Sequence, residues 1–111
     1  MDKLTIYRQH IKAVLSQYAG WDKSNDRFES QLILDEERDH YLWLDVGWDG
    51  SKRIYHPIVH FDIKDGKIWL QENMADLDPA AALVELGVPG EDIVLGLQPP
   101  YKRPYTDYGV A

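Results

Sequence analysis

The stretch of residues 32–71, LILDEERDHYLWLDVGWDGSKRIYHPIVHFDIKDGKIWLQ, decides the fold of this chain. Its apolar and polar residues alternate with the two-residue period of a strand, and Asp49-Gly50 and Asp65-Gly66 interrupt the alternation. Asp-Gly between two such runs is a hairpin signal, because the tight turn that matches strand twist needs positive φ, which glycine adopts without strain. The pattern predicts strands over residues 28–35, 40–48, 53–63 and 67–72, an up-down-up-down antiparallel meander across 28–72. Glu36-Glu37-Arg38-Asp39 and Asp49-Gly50-Ser51-Lys52 make its first two reversals. Phe28, Ser30, Leu32 and Leu34 share one face of the first strand. On the second, Leu42, Leu44 and Val46 are expected inward and Tyr41, Trp43 and Asp45 outward. Trp43 and Trp69 then lie on the face away from the aliphatic side chains, which is either covered or offered to a partner as an aromatic patch. Pro57 cannot donate to a ladder and should sit at an edge or a bulge. Gly47 marks a bulge or bend.

Upstream of the meander, Leu4, Tyr7, Ile11, Val14, Leu15 and Tyr18 recur at spacings of three and four, predicting an amphipathic helix over 1–20. Asp2 caps its start and Gly20 is its expected stop, with WDKSNDR at 21–27 as the connection. Downstream, Asp78 as cap, Pro79 in the first turn and Leu83, Val84 and Leu86 as the apolar side predict a helix over 78–87 closed by Gly87. Residues 88–92 read as a turn, and 93–97 as a short buried segment of either type. The tail QPPYKRPYTDYGVA, 98–111, reads as extended because Pro99, Pro100 and Pro104 favour that backbone. It is either a strap on its own domain or an arm reaching a partner. The fold class is therefore α+β: an N-terminal helix, a four-stranded antiparallel meander, a C-terminal helix and an extended tail, forming one domain over 1–111.

Composition narrows the function. The 111 residues are 44% hydrophobic and 12% aromatic, enough for a core, and lack cysteine, which excludes a disulfide framework, a thiol nucleophile or a thiolate metal site. The N-terminus lacks the unbroken apolar stretch of a signal peptide and no segment is long enough to span a bilayer, so a soluble, cytoplasmic protein is expected. The net charge of −7 disfavours direct nucleic-acid binding through Arg53, Lys64, Lys67 or Lys102-Arg103. No Lys or Arg stands between Lys67 and Lys102, whereas Glu72, Asp76, Asp78, Glu85, Glu91 and Asp92 do. The segment is either an ordinary solvated surface or an acidic face that steers a basic partner.

Catalytic signals are weak. His56 and His60, four apart on a strand, share a face about 13 Å apart, too far for one metal unless the strand bends at Pro57. His40 with Asp39 has no third ligand at a telling spacing. Asp45, Asp49, Asp62 and Asp65 could gather at one sheet end around a hard cation, but aspartates beside hairpin turns are usually structural. No phosphate-loop, dinucleotide-binding, nucleophile-elbow or zinc-protease motif is present, and Ser16, Ser24, Ser30 and Ser51 stand in none. No catalytic residue, cofactor or metal centre is expected. The alternative is a small-ligand-binding or hydrolytic domain using His56, His60 and nearby aspartates.

The blocks LDEERDHYLWLDVGWDG, HFDIKDGKIWLQ, ELGVPGEDIVLG and PPYKRPYTDYGVA, in this order, resemble the XisI family, the fdxN-element excision controlling factor proteins. The resemblance runs over residues 27–111 with a compatible helix ahead of it. Gly90, where a charged residue is common, and Tyr101-Lys102, in a variable part of the tail, depart from the pattern. The resemblance implies an accessory role in programmed site-specific DNA rearrangement, beside a recombinase and a XisH-family companion similar to restriction-type nucleases. The family has no assigned catalytic residues to carry over. Together with the charge distribution this leads to a non-enzymatic regulator acting by protein contact. The expected partner surface comprises Glu72, Glu85, Glu91 and Asp92, with Tyr101, Arg103, Tyr105 and Tyr108 of the tail. Self-association through a sheet edge or the tyrosine tail stays open.

Overall fold

A computed structural model describes residues 2–21 and 27–111, with the backbone alone at Gly20 and Trp21. The expected connection at 21–27 therefore lies mostly outside the described residues. Helix α1, Lys3–Trp21, starts where Asp2 Oδ1 accepts from the Thr5 backbone N–H at 2.9 Å. It buries Tyr7, Ile11, Val14, Leu15 and Tyr18, five of the six residues whose spacing predicts the helix. It ends at Trp21, one residue beyond the expected stop at Gly20.

Strands β1 (Phe28–Asp35), β2 (His40–Asp49), β3 (Lys52–Lys64) and β4 (Lys67–Asn73) pair antiparallel in chain order. The β3–β4 turn has φ 53° at Asp65 and 76° at Gly66, the two positive values that the Asp-Gly pair predicts. The sheet is larger than the expected meander. A fifth strand, β5 (Ile93–Leu95), joins parallel to β4, with Ile68 beside Ile93 and Leu70 beside Leu95. The four-strand antiparallel expectation is thus corrected to a five-stranded mixed sheet. Parallel neighbours need a crossover, and residues 74–92 provide it, with helix α2 (Pro79–Glu85) on the way. Three residues are too few to show a strand period, so the sequence of 93–97 is ambiguous in type. Asp78 caps α2, its Oδ1 accepting from the Ala81 N–H at 3.0 Å, and the helix is shorter than the predicted 78–87.

Both helices pack on one face of the sheet. Tyr41, Trp43, Val59, Phe61, Ile68, Leu70 and Ile93 meet α1 there, with Ala80, Leu83 and Val88 from α2 and its following turn. This reverses the expected facing of β2. The register sets Trp43 opposite Leu32 and Tyr41 opposite Leu34, so the aromatic row joins the apolar side of β1. Burying two large rings removes more apolar area from water than burying Leu42 and Val46. Trp43 and Trp69 consequently lie on opposite faces, and both are buried. Over Trp69 stand the Lys64 ammonium, 4.3 Å from the ring centroid, and the Arg103 guanidinium, at 5.2 Å.

Pro57 meets its expected constraints. It lies beside a bulge, with Trp43 opposite Val59 and Leu44 opposite Pro57, and β4 ends before reaching it. Gly47 lies in no bulge; it is a point of close backbone approach between β1 and β2. The tail is not extended throughout. Residues Pro100–Tyr105 form a 3-10 turn, and the chain then returns so that the Gly109 N–H donates to Ile93 O at 2.7 Å. The φ that the proline ring fixes, about −65°, suits a 3-10 turn as well as an extended chain, and burial of Gly109 against β5 selects the strap.

Candidate functional site

The helix-free face of the sheet carries a polar cluster that sequence spacing did not reveal. Tyr41 and Phe61 point into the core, so their neighbours His40, His60 and Asp62 project to the other side. His40 lies directly across from Asp62. Asp62 Oδ1 is 2.7 Å from His40 Nδ1 and 2.8 Å from His60 Nε2, while Oδ2 accepts from the Gln71 amide at 3.2 Å. The two imidazoles meet edge to face with centroids 6.5 Å apart. The Asp62 hydrogen bond holds the His40 pKa above its ordinary value. Burial opposes ionisation of Asp62, but the hydrogen bonds from His40 and His60 outweigh it and keep its carboxyl below the usual range. Chemically the group offers two imidazole nitrogens and one carboxylate oxygen on a surface that solvent reaches.

His56 does not join this group. The extra residue Ile58 in β3 changes the alternation, so the register puts His56 opposite Asp45 and His60 opposite Leu42, on different faces. The expectation that His56 and His60 share a face fails for that reason. Asp45, Asp49, Asp62 and Asp65 do not gather either. Asp45 accepts from the Ser30 hydroxyl at 2.8 Å, Asp49 lies 3.5 Å from Arg27, and Asp49 and Asp65 flank opposite ends of β3. Asp39 turns away from His40 and receives Arg8 through Nε at 2.8 Å and Nη2 at 3.1 Å, with the Tyr41 hydroxyl at 2.8 Å. That network ties α1 to the β1–β2 turn.

The expected partner residues divide into two groups. Glu85 and Glu91 are exposed, as are Tyr101 and Tyr105, at 71% and 88%. The others have internal roles. Glu72 is half-buried and accepts from the Asn73 backbone N–H at 3.2 Å. Arg103 Nε donates to Leu95 O and Gln98 O while its guanidinium covers Trp69, and Tyr108 packs against the core. Asp92 receives the Tyr7 hydroxyl and lies 2.9 Å from Lys3 Nζ, fastening the start of α1 to the β5 side of the sheet.

Asp92 gives a pH-dependent prediction. Burial opposes its ionisation, but Tyr7 and Lys3 outweigh that and hold its pKa below the ordinary carboxylate value. A depressed folded pKa adds stability that is fully present above the unfolded value, about 3.9, and is lost as pH falls through the folded value. Asp92→Asn is therefore expected to cost about 1–2 kcal/mol at pH 7, with the gap to the natural protein narrowing below about pH 4. Urea unfolding across that range checks it; a gap that stays constant with pH contradicts it.

The relatives agree with this architecture. The sequence matches the XisI protein family over residues 1–110. The chain belongs to the XisI family. It is 61% identical to a XisI-like protein from Anabaena variabilis ATCC 29413 whose crystal structure superposes with a TM-score of 0.94, covering 98% of this chain and all of that one. The fdxN element excision controlling factor XisI from the same strain is 41% identical, with a TM-score of 0.91 over 99% of this chain and all of the other. No curated protein matches the chain. XisI membership agrees with the resemblance carried by the four sequence blocks. No described helix is long and apolar enough to cross a membrane.

Proposed function

We propose that this protein is a non-enzymatic factor controlling excision of a DNA element, working in the cytoplasm through contacts with a XisH-like nuclease-fold companion and a site-specific recombinase. The observation carrying this reading is the 41% identity over essentially the whole chain to an fdxN element excision controlling factor. The net charge of −7 supports protein contact over DNA contact. A nuclease cleft built for phosphates is basic, and exposed Glu85 and Glu91 complement it while Tyr101 and Tyr105 supply apolar anchors. Asp92 is left out of this surface because Lys3 and Tyr7 already hold it.

Co-purification with the companion at rising salt tests the proposal, and failure to form a complex at low salt would sink it. The double reversal Glu85→Lys with Glu91→Lys is expected to slow association about tenfold at low salt and to change dissociation little. Stopped-flow binding reads both rates. An unchanged association rate would move the contact elsewhere on the protein.

The cluster around Asp62 favours a second reading, a ligand-binding or hydrolytic domain. Its members are His40, His60 and Asp62, not the pair His56 and His60.

A further inference from the structure

We propose that His40, His60 and Asp62 bind a divalent transition-metal ion of the Zn²⁺ class on the helix-free face of the sheet. His40 Nδ1, His60 Nε2 and a carboxylate oxygen of Asp62 all lie within 4.8 Å of one another. Two imidazole nitrogens directed at one carboxylate oxygen form a donor set that borderline-soft divalent ions take, and three protein ligands leave a coordination position open. Metal–donor bonds of about 2.0–2.1 Å in tetrahedral geometry place donors roughly 3.3 Å apart. The two separations from Asp62, 2.7 and 2.8 Å, reach that value by opening about half an ångström, and the two imidazole nitrogens stand within 4.8 Å of each other. His40 is 58% exposed and His60 32%, so an ion reaches the site and its open position faces solvent.

The surroundings of Asp62 are built as those of a metal ligand are. Its second oxygen is held by Gln71, the kind of outer hydrogen bond that orients a coordinating carboxylate. Gln71 reaches it because the β3–β4 register slips between His60 and Phe61: Glu72 faces His60, Leu70 faces Phe61, and Gln71 is left without a partner. The tail side then closes on Gln71. A Cβ at Gly96 would stand 2.4 Å from Gln71 Oε1, so glycine there lets the backbone press the amide into place. Lys64 and Arg103, two cations on this face, are drawn over the Trp69 ring. A bulge, a close-approach glycine and an amide thus converge on one carboxylate oxygen pair.

The test titrates Zn²⁺ into the chelator-stripped full-length protein by calorimetry, and follows Co²⁺ by its visible absorption. One equivalent per chain is expected. Asp62→Asn, which keeps the shape and an acceptor, and His60→Ala are expected to weaken binding at least a hundredfold. Gln71→Ala should weaken it about tenfold to a hundredfold. His56→Ala, on the same strand but the other face, should bind as the natural protein does. Circular dichroism confirms that each variant is folded, and Asp62→Asn decides if His60→Ala is not. Binding only at millimolar Zn²⁺, or binding that survives both Asp62→Asn and His60→Ala, would overturn the proposal. So would equal loss in His56→Ala.

Discussion

Phe61→Ala is expected to lower stability by about 3–5 kcal/mol, the range for truncating a buried phenylalanine in a packed core. Phe61 is fully buried at the middle of the helix-facing side of β3, with Tyr41 across from it on β2 and Leu70 on β4. These neighbours are held by ladder hydrogen bonds on both sides of the central strand and cannot collapse into the space, so the cavity penalty adds to the lost transfer energy. A domain of this size has about 5–15 kcal/mol in all, so the variant sits near the limit of folding. Thermal unfolding should show a Tm drop of roughly 10–20 °C, and urea unfolding a lower midpoint with little change in slope. A loss under about 1 kcal/mol would mean that this face is not tightly packed.

Gly47→Ala should be the most damaging single-methyl addition, at about 3 kcal/mol. A Cβ there would lie 2.0 Å from the Arg27 carbonyl oxygen and 2.6 Å from Phe28 Cα. Both are backbone atoms, so no side-chain rotation relieves the overlap and β1 must separate from β2. The same movement stretches the 2.7 Å bond from the Trp48 N–H to Arg27 O. Denaturant unfolding measures the cost, and faster hydrogen exchange at Trp48 locates it. A variant as stable as the natural protein would contradict the tight approach.

Those two positions also show how unevenly the fold was legible. The alternation around Phe61 is local and is written in the sequence, as are the Asp-Gly turn at Asp65-Gly66 and the caps at Asp2 and Asp78. The requirement at Gly47 comes from Arg27, twenty positions away in the chain, so the glycine could be noticed but not explained. The sequence leaves the facing of β2 undecided, because period-two alternation separates Tyr41 and Trp43 from Leu42 and Leu44 without saying which set the helices cover. Both sets are apolar, and only the pairing of Trp43 with Leu32 resolves it.

The candidate site was hidden for a related reason. His60 and Asp62 are an i, i+2 pair on one strand, a signal that was available. His40 is twenty-two residues from Asp62 and arrives through register, and Gln71 through a slip in the next ladder. The bulge at Ile58 and the bulge at Gln71 each shift which residues share a face, and a one-residue shift reverses every facing beyond it. In the tail, the prolines were compatible with an extended chain and a 3-10 turn alike; seating Gly109 on Ile93 chose between them.

By itself the sequence determined the elements that depend on near neighbours: the helices, the four long strands, the hairpin turns, the acidic balance and family membership. Periodicity, capping and turn chemistry act within a few residues, and four ordered blocks are specific without any coordinates. The tertiary structure alone decided the parallel fifth strand, the buried aromatic face, the internal use of Asp92 and Arg103, and the meeting of His40, His60 and Asp62. Each of those rests on contacts between distant segments, where register and burial compete and no local pattern records the outcome.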